Sequence, residues 1–249
     1  FNAVSSYGAN KIVGTGNVDF CYNEVWGSED QFKDLYTIIK SNDQNSNHSL
    51  KSIFAAYMNY ECSNREFNIP GVLLTDAVMF ALGGAHLELG DHMLCREYFP
   101  SQDVKMSSAL KTSIIRYYDF MTAYENILRG ASSKAEVQVE VISEATRKIS
   151  FNNWPPKEGG VTTYAKKTEG KTVIHFLNFR SVDNLSWRDL KGTRPAPTKV
   201  IKSPVKIKVD GKVNRIWSAS PDQHAGALQE LAFTQEGGYV SFVLPSLEY

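Results

Sequence analysis

The chain has 249 residues, which is long enough for one large domain or two ordinary domains with a full hydrophobic core. Its 27 Lys and Arg residues equal its 27 Asp and Glu residues, so no overall field attracts nucleic acid or a membrane surface, and neither is an expected partner. No apolar run approaches the roughly 20 residues that span a bilayer. The chain opens with Phe1 rather than Met, in what reads as a strand interior, and we expect it to come from the middle of a longer gene product.

Short apolar runs alternate with helical patterns along the first 130 residues. Because residues 8–16 are rich in glycine, no helix is predicted there. The order is typical of parallel βα units, and four such units are half of an eight-stranded barrel, whose open edges need partner strands. The predicted strands are residues 2–4, 18–22, 52–59 and 85–89, and the predicted helices are residues 29–39, 71–82 and 105–128.

After a composition break at Gly130-Ala131-Ser132-Ser133, the pattern changes to short strands without helices. Turn signals such as Asp210-Gly211 and Gly237-Gly238 separate these strands. About seven short strands separated by such turns predict an antiparallel sandwich. The predicted strands are residues 137–142, 161–165, 172–179, 205–209, 213–218, 230–234 and 239–244.

The segment Val18-Asp-Phe-Cys-Tyr-Asn-Glu-Val-Trp26 places a carboxylate at the end of an apolar strand. Since side chains alternate along a strand, Phe20, Tyr22 and Glu24 are predicted to share one face. An apolar flank disfavours the charged form of a carboxylate, which suits Glu24 to donating a proton near neutral pH. The alternative is a solvated glutamate just past a strand, and the spacing alone does not separate these two readings.

Several longer sequence segments are distinctive in the same part of the chain. They are Phe1-Asn-Ala-Val-Ser-Ser-Tyr-Gly8, Asp19-Phe-Cys-Tyr-Asn-Glu-Val-Trp26, Ala55-Ala-Tyr-Met-Asn-Tyr60, Gly84-Ala-His-Leu-Glu-Leu-Gly-Asp91, Glu97-Tyr-Phe-Pro100 and Arg116-Tyr-Tyr-Asp-Phe120. In these segments the chain resembles glycoside hydrolase family 66, the endo-dextranases and cycloisomaltooligosaccharide glucanotransferases. The resemblance is dense over the first 130 residues and loose beyond them.

This resemblance implies a fold of class α/β plus all-β. Residues 1–131 would be the C-terminal half of a (β/α)8 TIM barrel, contributing strands 5 to 8. Residues 132–249 would form a Greek-key antiparallel β-sandwich. Chemistry in such barrels lies at the carboxyl ends of the strands.

The resemblance also implies a retaining mechanism with two carboxylates. Glu24 would be the general acid/base, and the nucleophile would be an aspartate about 5 to 5.5 Å away on the fourth barrel strand. That strand would precede Phe1, so the chain is expected to carry one half of the catalytic pair. The missing N-terminal part of the barrel, possibly as a separate chain, is therefore an expected partner.

Further substrate contacts follow from the same resemblance. Trp26 would stack on a glucosyl ring or wall the pocket of the acid. Tyr7 and Tyr60, at strand ends, would line sugar subsites, and Glu88 and Asp91 would hydrogen-bond sugar hydroxyls. A purely structural role is the alternative for each of them.

Neither a metal site nor a cofactor is predicted. His86 and Glu88 form an H-x-E unit, but the P-C-x-x-C that completes a deaminase zinc site does not follow. None of the three cysteines belongs to a C-x-x-C unit, and Asp76, in the middle of a predicted helix, is interpreted as structural. The family resemblance implies no cofactor for turnover.

The sequence leaves three functions open. The leading one is endo-hydrolysis of α-1,6-glucan, that is dextran and isomaltooligosaccharides, by an extracellular, cell-surface or periplasmic enzyme. The second is intramolecular transglycosylation to cyclic isomaltooligosaccharides, which is disfavoured because residues 24–105 leave no room for an inserted carbohydrate-binding module. The third is a non-catalytic glucan-binding protein.

Overall fold

The computed structural model describes residues 9–25, 27–88, 90–92, 95, 104–142 and 149–249. Three parallel strands, in the order β1-β2-β3, and the helices beside them make up the first part of this structure. None of the described helices has both the length and the apolar character needed to span a bilayer. The elements are α1 (Ala9–Val13), β1 (Cys21–Val25), α2 (Phe32–Asn45), β2 (Ser52–Ala56), α3 (Ile69–Leu82), β3 (Ala85–His86), α4 (Ser108–Ala123) and α5 (Glu125–Arg129).

Local sequence signals explain where the helices begin and end. The Asp34 carboxylate accepts a hydrogen bond from the backbone N–H of Gln31 (2.9 Å) and so caps the start of α2. Helix α3 has Pro70 in its first turn and ends at Gly83, whose φ of 91° suits a residue without a side chain. Ser107 Oγ accepts from the backbone N–H of Leu110 at the start of α4.

The structure corrects the predictions at the start of the chain. The strand predicted at residues 18–22 lies at Cys21–Val25, because these are the residues that pair with β2. Residues 8–16 were not predicted to be helical, yet α1 forms there, and its Val13 packs on Cys21 and Leu50. The strand predicted at residues 2–4 lies outside the described residues.

The helix predicted at residues 105–128 is two helices rather than one. Tyr124 lies between α4 and α5 with a backbone outside the helical range (φ −112°, ψ 21°). Its hydroxyl donates to the carbonyl of Gly226 (2.8 Å), and its ring lies 4.7 Å from that of Phe120. The hydrogen bond to Gly226, in a distant segment, occurs where the periodic pattern alone indicated a continuous helix.

Beyond residue 132 the described elements are strands, apart from one turn of 3-10 helix at His224–Gly226. One sheet has the order β4-β7-β6 with β8 also paired to β7, a second has the order β12-β13-β9-β5, and β10 pairs with β11. The pairing is not purely antiparallel as predicted, because the short β6 runs parallel to β7. The strands are β4 (Ser133–Ala135), β5 (Val139–Val141), β6 (Phe151–Asn153), β7 (Val161–Thr168), β8 (Lys171–Asn178), β9 (Ser203–Lys208), β10 (Ile216–Ser218), β11 (Gln229–Leu231), β12 (Phe233–Glu236) and β13 (Tyr239–Leu244).

Two hydrophobic clusters organise the packing of these elements. The smaller one joins the two four-stranded sheets through residues such as Val161 of β7 and Val205 of β9. The larger one contains residues from α2, α3 and α4 together with Trp154, Phe179 and Trp187 from the later part of the chain. The core therefore crosses the predicted boundary between residues 131 and 132. That boundary, the closed barrel and the Greek-key sandwich remain predictions.

A buried carboxylate links α4 to the later part of the chain. The Asp222 side chain is 5% exposed, accepts a hydrogen bond from the Tyr117 hydroxyl (3.0 Å) and lies 3.4 Å from Arg116 Nη2. Burial raises the pKa of Asp222 to about 6, although the hydrogen bond from Tyr117 and the charge of Arg116 act in the opposite direction. Ionisation of Asp222 is therefore less favourable in the folded protein than in the unfolded chain.

This carboxylate predicts a pH-dependent stability. Because the folded-state pKa of Asp222 lies above its ordinary value, its contribution is fully present below about pH 3.8 and is lost as the pH rises through about 6. Between pH 4.5 and pH 7 the wild type is expected to lose about 2 kcal/mol of unfolding free energy that Asp222→Asn does not lose. Urea unfolding at both pH values measures this, with Asp119→Asn, an exposed residue of α4, as the control. Equal pH dependence in wild type and Asp222→Asn would contradict the prediction.

Candidate active site

The carboxyl ends of the three parallel strands meet at one edge of the sheet, where α/β proteins commonly place their sites. The odd-numbered residues of β1 are buried, and Tyr22 and Glu24 are partly buried on the opposite face. The buried face turns toward α2, because Asn42 donates to Asn23 Oδ1 (2.6 Å). Phe20, predicted to share the face of Glu24, precedes β1 and is 50% exposed. Glu24 thus lies near the strand end, on the face away from α2.

Glu24 has an apolar wall on one side and a fixed hydrogen-bond donor. It pairs in register with Ala55 of β2, which forms a small cluster with Tyr22, Tyr57 and Leu87. The Tyr22 hydroxyl donates to Glu24 Oε1 (3.2 Å). Burial, followed by the charge of Glu24 and this hydrogen bond, raises the pKa of Tyr22 to about 12, so the hydroxyl keeps its proton at neutral pH. The arrangement can hold one carboxyl oxygen in place while the other is used for proton transfer.

Tyr60 follows the end of β2 and is covered by an arginine from the later part of the chain. The Arg188 guanidinium lies 5.1 Å from the centre of the Tyr60 ring, and Arg188 Nε donates to the carbonyl of Tyr57 (3.3 Å). The backbone N–H of Asn59 in turn donates to the carbonyl of Arg188 (3.1 Å). Sequence reasoning did not anticipate Arg188, because 128 residues separate it from Tyr60 and no local pattern connects them.

The other predicted contact residues are not gathered around Glu24 by the contacts described. Asp91 belongs to a single turn of 3-10 helix, Gly90–His92, and its side chain is 60% exposed and paired with Lys111 (2.7 Å). The hydrogen bond from Lys111 lowers the pKa of Asp91. Tyr7 and Trp26 lie outside the described residues. Their roles toward a sugar, like that of Asp91, remain predictions.

Glu88 lies in a buried cluster with Asp76 of α3 and His86 of β3. His86 Nδ1 is 2.8 Å from Asp76 Oδ1 and 3.8 Å from Glu88 Oε1, and His86 Nε2 is 3.0 Å from the carbonyl of Ala56. The side chains of Asp76 and His86 are 0% and 1% exposed, and that of Glu88 is 10% exposed. The Tyr118 hydroxyl donates to the carbonyl of His86. Glu88 is therefore held by Asp76 and His86, and its predicted contact with sugar hydroxyls remains a prediction.

The protonation states of Asp76, His86 and Glu88 depend on one another. Burial disfavours a charged imidazole, but the hydrogen bond to Asp76 and the charges of Asp76 and Glu88 raise the pKa of His86 to about 9. Burial, followed by the charge of Asp76, raises the pKa of Glu88 to about 8. At neutral pH, His86 is then protonated and Glu88 is a neutral acid hydrogen-bonded to Asp76.

Sequence reasoning interpreted Asp76 as structural and did not connect it to this cluster. One signal was present: Asp76 is the one charged residue in the helix Ile69–Leu82, which is otherwise apolar apart from Thr75. A carboxylate buried in such a helix needs a polar partner. The H-x-E spacing of His86 and Glu88 was noted, but the sequence gives no sign that α3 faces it.

The model of glycosyl hydrolase family 66 matches residues 1–249, the whole chain. The chain belongs to glycosyl hydrolase family 66.

Several relatives in family 66 have names that describe their activity. Two proteins of Niallia circulans, each named cycloisomaltooligosaccharide glucanotransferase, are 34% identical over 195 and 197 residues, which is 74% of this chain and 19% of each relative. A protein of Streptococcus salivarius named dextranase is 25% identical over 172 residues, covering 61% of this chain and 21% of the relative. The matched region thus spans about a fifth of these relatives.

A solved structure shows the same fold as this family 66 chain. It is the crystal structure of a cycloisomaltooligosaccharide glucanotransferase from Paenibacillus sp., complexed with cycloisomaltoheptaose. The TM-score is 0.84 at 21% identity, over 97% of this chain and 53% of that one. The arrangement of helices and mixed sheets is therefore shared with about half of that enzyme.

Proposed function

We propose that this family 66 chain supplies the general acid/base, Glu24, of a retaining glycosidase that cleaves internal α-1,6 bonds of dextran. The observation that carries the proposal is the position of Glu24 at the carboxyl end of β1, partly buried and bonded to the Tyr22 hydroxyl. Family membership and the names of the relatives supply the substrate class. An exported enzyme is part of the proposal, because dextran is a polymer outside the cell.

In this mechanism Glu24 acts twice. In the first step an aspartate nucleophile, supplied by polypeptide outside this chain, bonds to the anomeric carbon as the bond from that carbon to the glycosidic oxygen breaks. The Glu24 carboxylic acid donates its proton to that oxygen, so the leaving sugar departs as an alcohol. In the second step the Glu24 carboxylate removes a proton from water, which attacks the anomeric carbon and releases the aspartate. The chain's own contribution is to hold the carboxyl group beside the apolar wall of Ala55 and Tyr57.

A second candidate is transglycosylation that closes a ring of α-1,6-linked glucose. The two relatives named cycloisomaltooligosaccharide glucanotransferase are 34% identical to this chain, whereas the relative named dextranase is 25% identical. The higher identity supports transglycosylation as a candidate. Both reactions share the first step and differ in whether water or a sugar hydroxyl attacks. The short stretch between β1 and α4 supports hydrolysis, because it holds no inserted module.

Incubating the complete protein with dextran tests the proposed function. We expect shorter linear isomaltooligosaccharides whose new reducing ends form first in the α configuration, followed by proton NMR of the anomeric hydrogens. Cyclic isomaltooligosaccharides among the products would instead support the second candidate, transglycosylation. Binding of dextran without turnover would indicate the non-catalytic glucan-binding protein instead, and β products would exclude a retaining mechanism.

The Tyr22 hydroxyl provides a narrower prediction. Tyr22→Phe removes the hydrogen bond that orients Glu24 and is expected to lower kcat on dextran about 10-fold, since such a bond contributes about 1.5 kcal/mol. In a Glu24→Gln background the same change should have little further effect, because the two residues act together. Tyr239→Phe, whose ring contacts Lys206, is the control. Full additivity of the two substitutions would show that Tyr22 acts independently of Glu24.

A further inference from the structure

We propose that Asp76, His86 and Glu88 form a binding site for one divalent transition-metal ion of the Zn²⁺ class. This inference concerns metal uptake and does not depend on the proposed reaction. Among the described residues, no other group of three His, Cys, Asp or Glu side chains brings its ligand atoms as close together.

The geometry is that of a slightly expanded coordination shell. One ligand atom from each residue lies within 4.8 Å of the other two. Metal–ligand bonds of about 2.0 to 2.2 Å place ligand atoms about 3.3 to 3.6 Å apart in a tetrahedral site. The side chains must therefore rotate inward to bring all three atoms onto one ion. The ligands come from α3, from β3 and from the residues after β3, so the fold positions them independently of one another.

Apart from a proton shared between the carboxyl groups of Asp76 and Glu88, two carboxylate oxygens in the cluster have no hydrogen-bond partner among the described residues. They are Asp76 Oδ2 and Glu88 Oε1, both fully buried at the level of the atom. Buried polar atoms in proteins are nearly always satisfied, so an unpartnered pair on adjacent carboxylates points to a missing ligand. A proton between them is one such ligand, and a cation is the other.

The orientation of His86 is that of a metal-binding histidine. Its Nε2 lies 3.0 Å from the carbonyl of Ala56, which can only accept, so Nε2 carries the hydrogen. When an ion displaces the proton that Nδ1 carries at neutral pH, the neutral ring has its free electron pair on Nδ1, directed toward Asp76 and Glu88. A hydrogen bond from the second ring nitrogen to a backbone carbonyl is the usual way that proteins orient such a ligand.

Charge and ligand type indicate the kind of ion. Two carboxylates and a neutral imidazole carry two negative charges, which balance a divalent cation in a buried site. A mixed nitrogen and oxygen set suits Zn²⁺ and its neighbours better than Mg²⁺ or Ca²⁺, which prefer oxygen alone. Glu88 is the most exposed of the three and marks the side from which the ion and a fourth ligand, water, would enter.

Calorimetric titration of the EDTA-treated, dialysed protein with Zn²⁺ tests the site. We expect one ion per chain, and a loss of affinity of at least about 100-fold in Glu88→Gln, since removal of a direct ligand exceeds the 10- to 100-fold effect of an outer-shell change. This variant is chosen because its amide can still donate to Asp76 and so preserve the fold. The control is His48→Gln, which disrupts an exposed histidine–aspartate pair (His48 Nδ1 to Asp43 Oδ2, 2.6 Å) and should bind Zn²⁺ as the wild type does.

Anomalous diffraction at the zinc edge keeps the proposal testable if Glu88→Gln fails to fold. A peak within bonding distance of His86 Nδ1 in wild-type crystals grown with Zn²⁺ supports the site. No saturable uptake, uptake that Glu88→Gln leaves unchanged, or a peak elsewhere would overturn it and leave the cluster occupied by protons alone.

Discussion

Glu24→Gln in the complete protein is expected to lower turnover of dextran by a factor of about 10²–10⁴, the usual contribution of a general acid/base. The amide has nearly the same shape as the carboxyl group and can still accept a hydrogen bond from Tyr22, so the fold should be unchanged. What is lost is the proton that the leaving oxygen needs and the base that activates water. Initial rates on dextran, together with circular dichroism of the purified variant, measure both effects.

Chemical rescue distinguishes this role from a purely structural one. Isomaltosyl fluoride needs little protonation to leave, and azide needs no base to attack, so together they should restore much of the activity of Glu24→Gln. The matched control is Glu61→Gln, an exposed glutamate that follows β2, which should leave the rate unchanged. Near-normal turnover of dextran by Glu24→Gln would end the assignment of Glu24 as the acid/base.

Trp187→Ala is expected to have the largest effect on stability, a loss of about 3–5 kcal/mol of unfolding free energy. Trp187 is fully buried in the large cluster with residues of α2 and α3. Its Nε1 donates to the carbonyl of Glu29 (2.7 Å), and its backbone carbonyl accepts from Thr75 Oγ1 (3.2 Å). The substitution leaves a cavity at the point where the two parts of the chain share a core, so both should unfold at lower urea concentration. Circular dichroism at 222 nm during urea unfolding measures this.

An exposed tryptophan, Trp217, provides the control for Trp187→Ala. Trp217 on β10 is 45% exposed, and its ring contacts Arg215 (5.8 Å), so Trp217→Ala should cost less than about 1 kcal/mol. If the two variants were equally stable, the large cluster would not be the structural link between the two parts.

Much of the first half of the fold could be predicted from sequence, because its signals are local. Pro70 and Gly83 bracket α3, and apolar residues such as Phe32 and Leu35 are spaced for one face of α2. The shared face of Tyr22 and Glu24 followed from the alternation of β1. These patterns depend on neighbours within a turn or a strand, so they are visible without a structure.

The parts that could not be predicted depend on contacts between distant residues. The interruption at Tyr124 accompanies a hydrogen bond to Gly226, and the position of Arg188 over Tyr60 depends on a segment more than 100 residues away. Asp76 was correctly predicted to lie in a helix, but its partners were not predicted, because only the packing of α3 against β3 brings His86 to it. The three-residue β6 carries too few residues for a periodic pattern.

The hydrogen bond from Trp187 to Glu29 joins residues 158 positions apart, and it has a consequence for biosynthesis. Until Trp187 has left the ribosome, the apolar surfaces of α2 and α3 that it covers stay open to solvent or to a chaperone. We therefore expect nascent chains that stop before this residue to bind chaperones or to be degraded, whereas chains that extend past it become resistant to protease.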